Sequence, residues 1–141
     1  MTAGYSSTPL SRKLSLKPGL RAWWDAMPAS VEAELADSGV VRLAAPQAPI
    51  DAAHVFVTDR ADMTAKIAAL RPLLAPTGFL WISWPKKASK VPTDITEDVI
   101  RAVILPTTDL VDVKVCAVDP VWSGLKLMIR KSARHGAGAQ P

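Results

Sequence analysis

Cysteine is almost absent from this 141-residue chain, where Cys116 is the only one. An intrachain disulfide, a CxxC pair and a cysteine-built zinc site are therefore excluded. Histidine occurs twice, at His54 and His135, and neither has other ligand types spaced around it. No metal site is expected, because metal ligands come in clusters. Glycine is sparse at seven residues, and no GxxxxGK[ST] phosphate loop is present. No apolar run approaches the ~20 residues that span a bilayer. The opening MTAGYSSTPLSRKL has no apolar segment before its basic residues, so it does not read as a secretory signal. These absences point to a soluble cytoplasmic protein with no membrane contact.

Acid is missing from both ends. Residues 1–21 carry Arg12, Lys13, Lys17 and Arg21, and residues 126–141 carry Lys126, Arg130, Lys131 and Arg134. All 13 acidic residues lie between, and the net charge is +4. Basic ends suggest nucleic acid, but these are sparse and lack the interleaved aromatics of a single-strand binder. Nucleic acid is not an expected partner, and nothing in the sequence sets an oligomeric state.

What is present is a core. Hydrophobic residues make up 49%, and the length suits one domain. Residues 1–19 read as an N-terminal arm in which Leu10, Leu14 and Leu16 pin a short turn to the body. Residues 20–131 read as the folded domain and 132–141 as a flexible tail. A strand over 20–24 leads to a helix with Pro28 in its first turn and Gly39 at its end. Short strands follow over 40–43 and 53–57. Thr58 or Asp59 caps a helix in which Met63, Ile67, Leu70 and Leu74 keep helical spacing, and Pro72 kinks or ends it. An apolar strand over 79–84 stops at Pro85. Asp94 and Glu97 make a capping-box pattern for the next helix. Val111, Val113 and Val115, then Leu125, Leu127 and Ile129, alternate as the two arms of a hairpin. The order predicts an α/β fold: one three-layer, Rossmann-like domain, mainly parallel, with a C-terminal antiparallel hairpin.

In such a sheet, ligands bind beyond the carboxyl ends of the strands. That edge should carry Asp25, Thr58, Asp59 and the loop from Trp84 to Lys90, and an antiparallel last strand should bring Trp122, Ser123 and Gly124 to Lys86 and Lys87. The candidate ligand-binding residues are Trp84, Lys86, Lys87, Ser89, Lys90, Thr93, Trp122, Ser123 and Lys126. Three lysines, two hydroxyls and the start of the following helix would converge on a phosphate or carboxylate; the plain alternative is a solvated lysine loop. Trp84 and Trp122 would flank that anion site as stacking platforms, or serve as packing residues. Lys114 and Lys126 repel if they lie opposite each other, unless Asp112, Asp119 or a bound anion neutralises them. Cys116 reads as a small buried residue. Ser89 and Ser123 lack the GxSxG setting of an activated serine.

Two resemblances add to this reading. Residues 51–57, and then Leu70-Arg71-Pro72-Leu73-Leu74-Ala75-Pro76-Thr77-Gly78 running into FLWIS, resemble the later half of class I methyltransferases, over roughly residues 51–131. That resemblance implies the fold. The family carries an acidic, glycine-rich loop after its first strand, and here that place reads Arg21-Ala22-Trp23-Trp24-Asp25-Ala26-Met27-Pro28. That run has no glycine, and a bulky Trp-Trp pair and a proline cannot reproduce the close backbone approach to the cofactor, so S-adenosylmethionine is not expected, and no other cofactor is. The chain is also similar to an uncharacterised bacterial family, through Gly4-Tyr5-Ser6 with Thr8-Pro9-Leu10, the run WPKKASKVPTD from Trp84, the run LVDVKVCAVD from Leu110, and Trp122-Ser123-Gly124-Leu125-Lys126. The expected function is a non-catalytic methyltransferase-like domain binding a small anionic ligand or a protein partner at the sheet edge. The alternatives are an enzyme acting on a phosphate-bearing or nucleotide-like substrate, and a protein-interaction module.

Overall fold

Seven-residue β3 (Ile50–Phe56) and twelve-residue β4 (Leu74–Pro85) form the centre of the molecule, and almost every side chain on them is buried. Such continuous apolar runs are what a strand covered on both faces requires. The computed structural model describes residues 8–134. Four further strands complete one sheet: β1 (Arg21–Asp25), β2 (Val41–Arg42), β5 (Leu110–Ala117) and β6 (Trp122–Ile129). The order is β2-β1-β3-β4-β6-β5. β1, β2, β3 and β4 run parallel, and β6 pairs antiparallel with both β4 and β5. The expected Rossmann-like sheet with a closing hairpin is what forms.

The two faces are covered differently. α3 (Arg60–Leu70) and α4 (Glu97–Ile104) lie over one of them. There Met63, Ile67, Leu70, Ile100 and Ile104 join Val55, Leu80, Ile82, Leu125 and Leu127 in one apolar cluster. The other face is covered by α1 (Leu10–Lys13), α2 (Ala29–Glu34) and the turns around them. Leu10, Leu14, Leu16, Val31 and Leu35 pack there on Trp24, Phe56, Phe79 and Trp81. The expected pinning leucines are thus part of the core, with Leu14 fully buried. Its carbonyl accepts from Trp81 Nε1 at 3.0 Å. The rest of the expected arm (1–7) and most of the expected tail (135–141, with His135) lie outside the described residues.

Local chemistry explains the boundaries. Asp59 caps α3 by accepting from Asp62 N at 2.8 Å. Pro72 ends it, and residues 71–73 tighten into a 3₁₀ turn, so Leu74 opens β4 rather than closing the helix. β4 starts earlier than its apolar run because Pro76 and Gly78 sit in an irregular stretch where the pairing with β3 shifts register. A Cβ at Gly78 would lie 2.7 Å from the Ile50 carbonyl, so only glycine allows this approach. The capping box expected at Asp94 does not form. Thr96 is the N-cap of α4, accepting from Val99 N at 3.1 Å. Asp94 instead accepts from Arg60 N at 2.9 Å, because a free amide at the start of α3 lies within its reach.

Candidate functional site at the carboxyl edge of the sheet

β1, β3 and β4 end on the same edge, about 4.8 Å apart from strand to strand. The order reverses at β1: the chain first steps outward to β2 and then back past β1 to β3. A crevice at such a reversal is where this class of sheet holds ligands. At the end of β1 the chain turns through Ala26, whose φ is +59°, into Pro28, the N-cap of α2. Asp25 is held by Lys66, whose Nζ donates to Asp25 Oδ1 at 2.7 Å and lies 3.1 Å from Asp62 Oδ2. Partial burial works to lower the Lys66 ammonium, but hydrogen bonds and charge from the two carboxylates outweigh it and raise its pKa. Sequence reasoning missed this trio. Its signal was the acid–base i,i+4 spacing of Asp62 and Lys66.

The loop after β4 lies along the same edge. Lys86 N donates to Val121 O at 2.7 Å, Trp122 pairs with Pro85, and Ser123 pairs with Trp84. Lys86 is therefore met by Val121, one residue before the expected segment, and Trp122, Ser123 and Gly124 pair with Pro85, Trp84 and Ser83 instead. Thr93 Oγ1 donates to Thr58 O at 2.6 Å and accepts from Ile95 N. Ser89 Oγ donates to Lys86 O at 2.6 Å and accepts from Val91 N. Both hydroxyls are thus committed to shaping the loop. Lys90 takes left-handed backbone at φ +61°. Among the described residues, none of Lys86, Lys87 and Lys90 pairs with an acid.

Other predicted residues are not brought to this loop. Trp84 is buried on the helix-covered face, while Trp122 packs on the opposite face with its ring edge-on to Phe56 at 5.1 Å. They do not flank one ligand. Lys126 pairs with Trp81 in mid-sheet, five residues back along β4 from Lys86 and so roughly 16 Å away. Its Nζ donates to Ser15 Oγ at 2.9 Å and sits 4.6 Å from the centre of the Phe79 ring.

His54 lies in the core and not at the sheet edge. It is fully buried, stacks on Phe56 at 4.4 Å, and shares a 2.7 Å hydrogen bond between Nε2 and Ser83 Oγ. Burial lowers its pKa to about 3, so the ring is neutral. Among the described residues its Nδ1 has no partner. Burial raises the Cys116 thiol, which removes it as a thiolate nucleophile. The described residues hold no cluster of potential metal ligands and no helix long and apolar enough to cross a membrane.

No family model and no curated protein matches the chain. Solved structures do. A protein from Sulfolobus solfataricus assigned to the type 11 methyltransferases superposes with a TM-score of 0.54 at 15% identity, covering 94% of this chain and 95% of its own. Aeropyrum pernix fibrillarin with natively bound S-adenosyl-L-methionine gives 0.51 at 11% identity, over 89% of this chain and 70% of its own. DhpI in complex with SAH gives 0.50 at 11% identity, over 86% and 82%. The chain has a class I methyltransferase-like fold.

These neighbours correct the expectation that set S-adenosylmethionine aside, since two of them carry an S-adenosyl compound on this fold. The geometry shows where the steric objection failed. Trp23 and Trp24 are adjacent in a strand and turn to opposite faces, each packed into a core, so neither blocks the edge. The left-handed turn is made by Ala26, the smallest L-residue, and Pro28 stands beyond it as a helix cap. The turn that follows β1 is thus made on Ala26, without a glycine.

Proposed function

We propose that this chain is a binding domain that takes an S-adenosyl compound at the carboxyl edge of β1 and β3. In this reading the lysine loop receives the anionic group of the ligand or of its partner. One observation carries it: at this edge the carboxylates and loop hydroxyls hold structural bonds, leaving the Ala26 turn and three lysines free. Asp25 and Asp62 are tied to Lys66, Asp59 and Asp94 satisfy amides of α3, and Ser89 and Thr93 close the loop. Such an edge can grip a ligand, but it offers no free acid–base pair for chemistry. The signatures around Trp84–Asp94 and Leu110–Asp119 support placing the chain in the bacterial family it resembles.

The test is calorimetric titration of S-adenosylhomocysteine and S-adenosylmethionine into the protein. Saturable binding is expected, retained in Ala26→Gly and weakened about tenfold in Ala26→Val, whose branched side chain resists positive φ and crowds the edge. No heat, and no thermal stabilisation at ligand concentrations that saturate such sites, would overturn the reading. The double variant Lys86→Ala/Lys87→Ala tests the loop separately. It should weaken binding while leaving the melting temperature near that of the parent.

A further inference from the structure

Ser15 and Lys126, one from each acid-free stretch, meet on the face of the sheet opposite α3 and α4. Lys114 and Lys126 are cross-strand partners there. Two ammonium groups directly opposed on a sheet repel each other. The two acids of the hairpin, Asp112 and Asp119, are engaged elsewhere. Asp112 accepts from Arg101 Nε at 2.8 Å on the other side of a register shift. Asp119 Oδ1 holds the hairpin turn, accepting from Val121 N and Trp122 N at 2.8 and 2.7 Å. Residues 1–7 and 135–141 contain no Asp or Glu.

More cations gather at the same place. The charges of Lys13 and Lys114 both act on the Cys116 thiol, which neighbours Lys114 along the face. Lys126 is partly buried and carries Ser15 Oγ on its ammonium. Having accepted that bond, the Ser15 hydroxyl keeps its own hydrogen to donate. Ser15 takes left-handed backbone at φ +64°, a strained state that the surroundings must hold in place. It also lines an open cleft of about 430 Å³ with Arg12, Lys17, Ser38 and one acid, Asp37. Among the described residues none of Lys13, Lys114, Lys126, Arg12 and Lys17 forms an ion pair, although Arg71 and Arg101 on the helix-covered side are both paired.

We propose that Lys13, Lys114 and Lys126, with the Ser15 hydroxyl, form a binding site for the phosphate group of a small phosphorylated ligand, separate from the sheet-edge site. Three ammonium groups and a polarised hydroxyl supply the donors that a phosphate accepts. The adjoining cleft gives space for the rest of the molecule. The opposed lysines then make sense as a pair relieved by the ligand.

Thermal melts of the full chain with inorganic phosphate or pyrophosphate, at fixed ionic strength in chloride, read this directly. Pyrophosphate should raise the melting temperature. Lys114→Gln should abolish most of that rise, weakening pyrophosphate at least about tenfold, the change a lost charge-assisted contact produces. The same variant, without ligand, should melt no lower than the parent, because it removes a repulsion. A Lys114→Gln protein that melts lower without ligand, or that keeps its pyrophosphate affinity, overturns the proposal. Lys87→Gln separates this site from the edge loop: loss of pyrophosphate binding there, and not in Lys114→Gln, would also overturn it. A labelled oligonucleotide forms the last arm. Binding that pyrophosphate cannot displace would mean a polymer surface and contradict a small-ligand site.

Discussion

The two faces of this sheet solve the same packing problem with different means. One lies under the two longest helices, α3 and α4, and its charges close on themselves. Arg71 binds Asp109 through two bonds of 2.5 Å, and Arg101 is shared between Glu97 and Asp112. The other lies under short helices and turns, and it retains polar and cationic groups. His54 and Ser83 are buried in it, and Lys114 opposes Lys126 across it. Folding alone explains the first face. The second keeps an opposed lysine pair that lowers stability and serves no packing purpose, which is where binding chemistry is to be sought.

The largest effect should come from the cover of the second face. Leu14→Ala should cost about 3 kcal/mol in a urea melt, as for a fully buried leucine; a cost near zero would make the N-terminal turn a loose tether and erase the contrast. Next comes pH. The folded-state pKa of His54 lies well below that of the unfolded chain, so the unfolded state takes up the proton first and stability falls as pH drops below about 6.5. Between pH 7 and 5 the loss should be about 2 kcal/mol, and His54→Leu should flatten that slope. A parent slope unchanged by the substitution would show that the ring is not the group responsible. On the first face, Arg71→Met should cost about 1 kcal/mol, modest because the pair is a quarter exposed and partly screened; chemical denaturation checks it. The smallest effect sharpens the edge. Lys90→Gly should raise stability by up to about 1 kcal/mol by releasing the left-handed strain, while removing one cation from the loop.

Much of the fold was legible because alternation and capping are local. The hairpin, the cap at Asp59 and the helix end at Pro72 follow from neighbours in sequence. Asp94 was misread because its partner, the amide of Arg60, is 34 residues away. Trp84 and Trp122 were grouped wrongly because their faces depend on cross-strand register, which alternation within one strand does not define. The Trp23-Trp24 objection was avoidable: successive strand residues point to opposite faces, so two tryptophans in β1 cannot both project at its end. The Lys114–Lys126 opposition was visible as a conditional in the sequence. The structure adds that Asp112 and Asp119 are already engaged.

Ligand binding at the end of β1 is the central proposal. Titrating isotopically labelled protein with S-adenosylhomocysteine and following backbone amide shifts tests it in one experiment. The shifts should concentrate at Asp25, Ala26 and Met27 and at Val57, Thr58 and Asp59, with weaker changes at Lys86 and Lys87. Shifts confined to Lys13, Ser15 and Lys114, or none at saturating ligand, would contradict it.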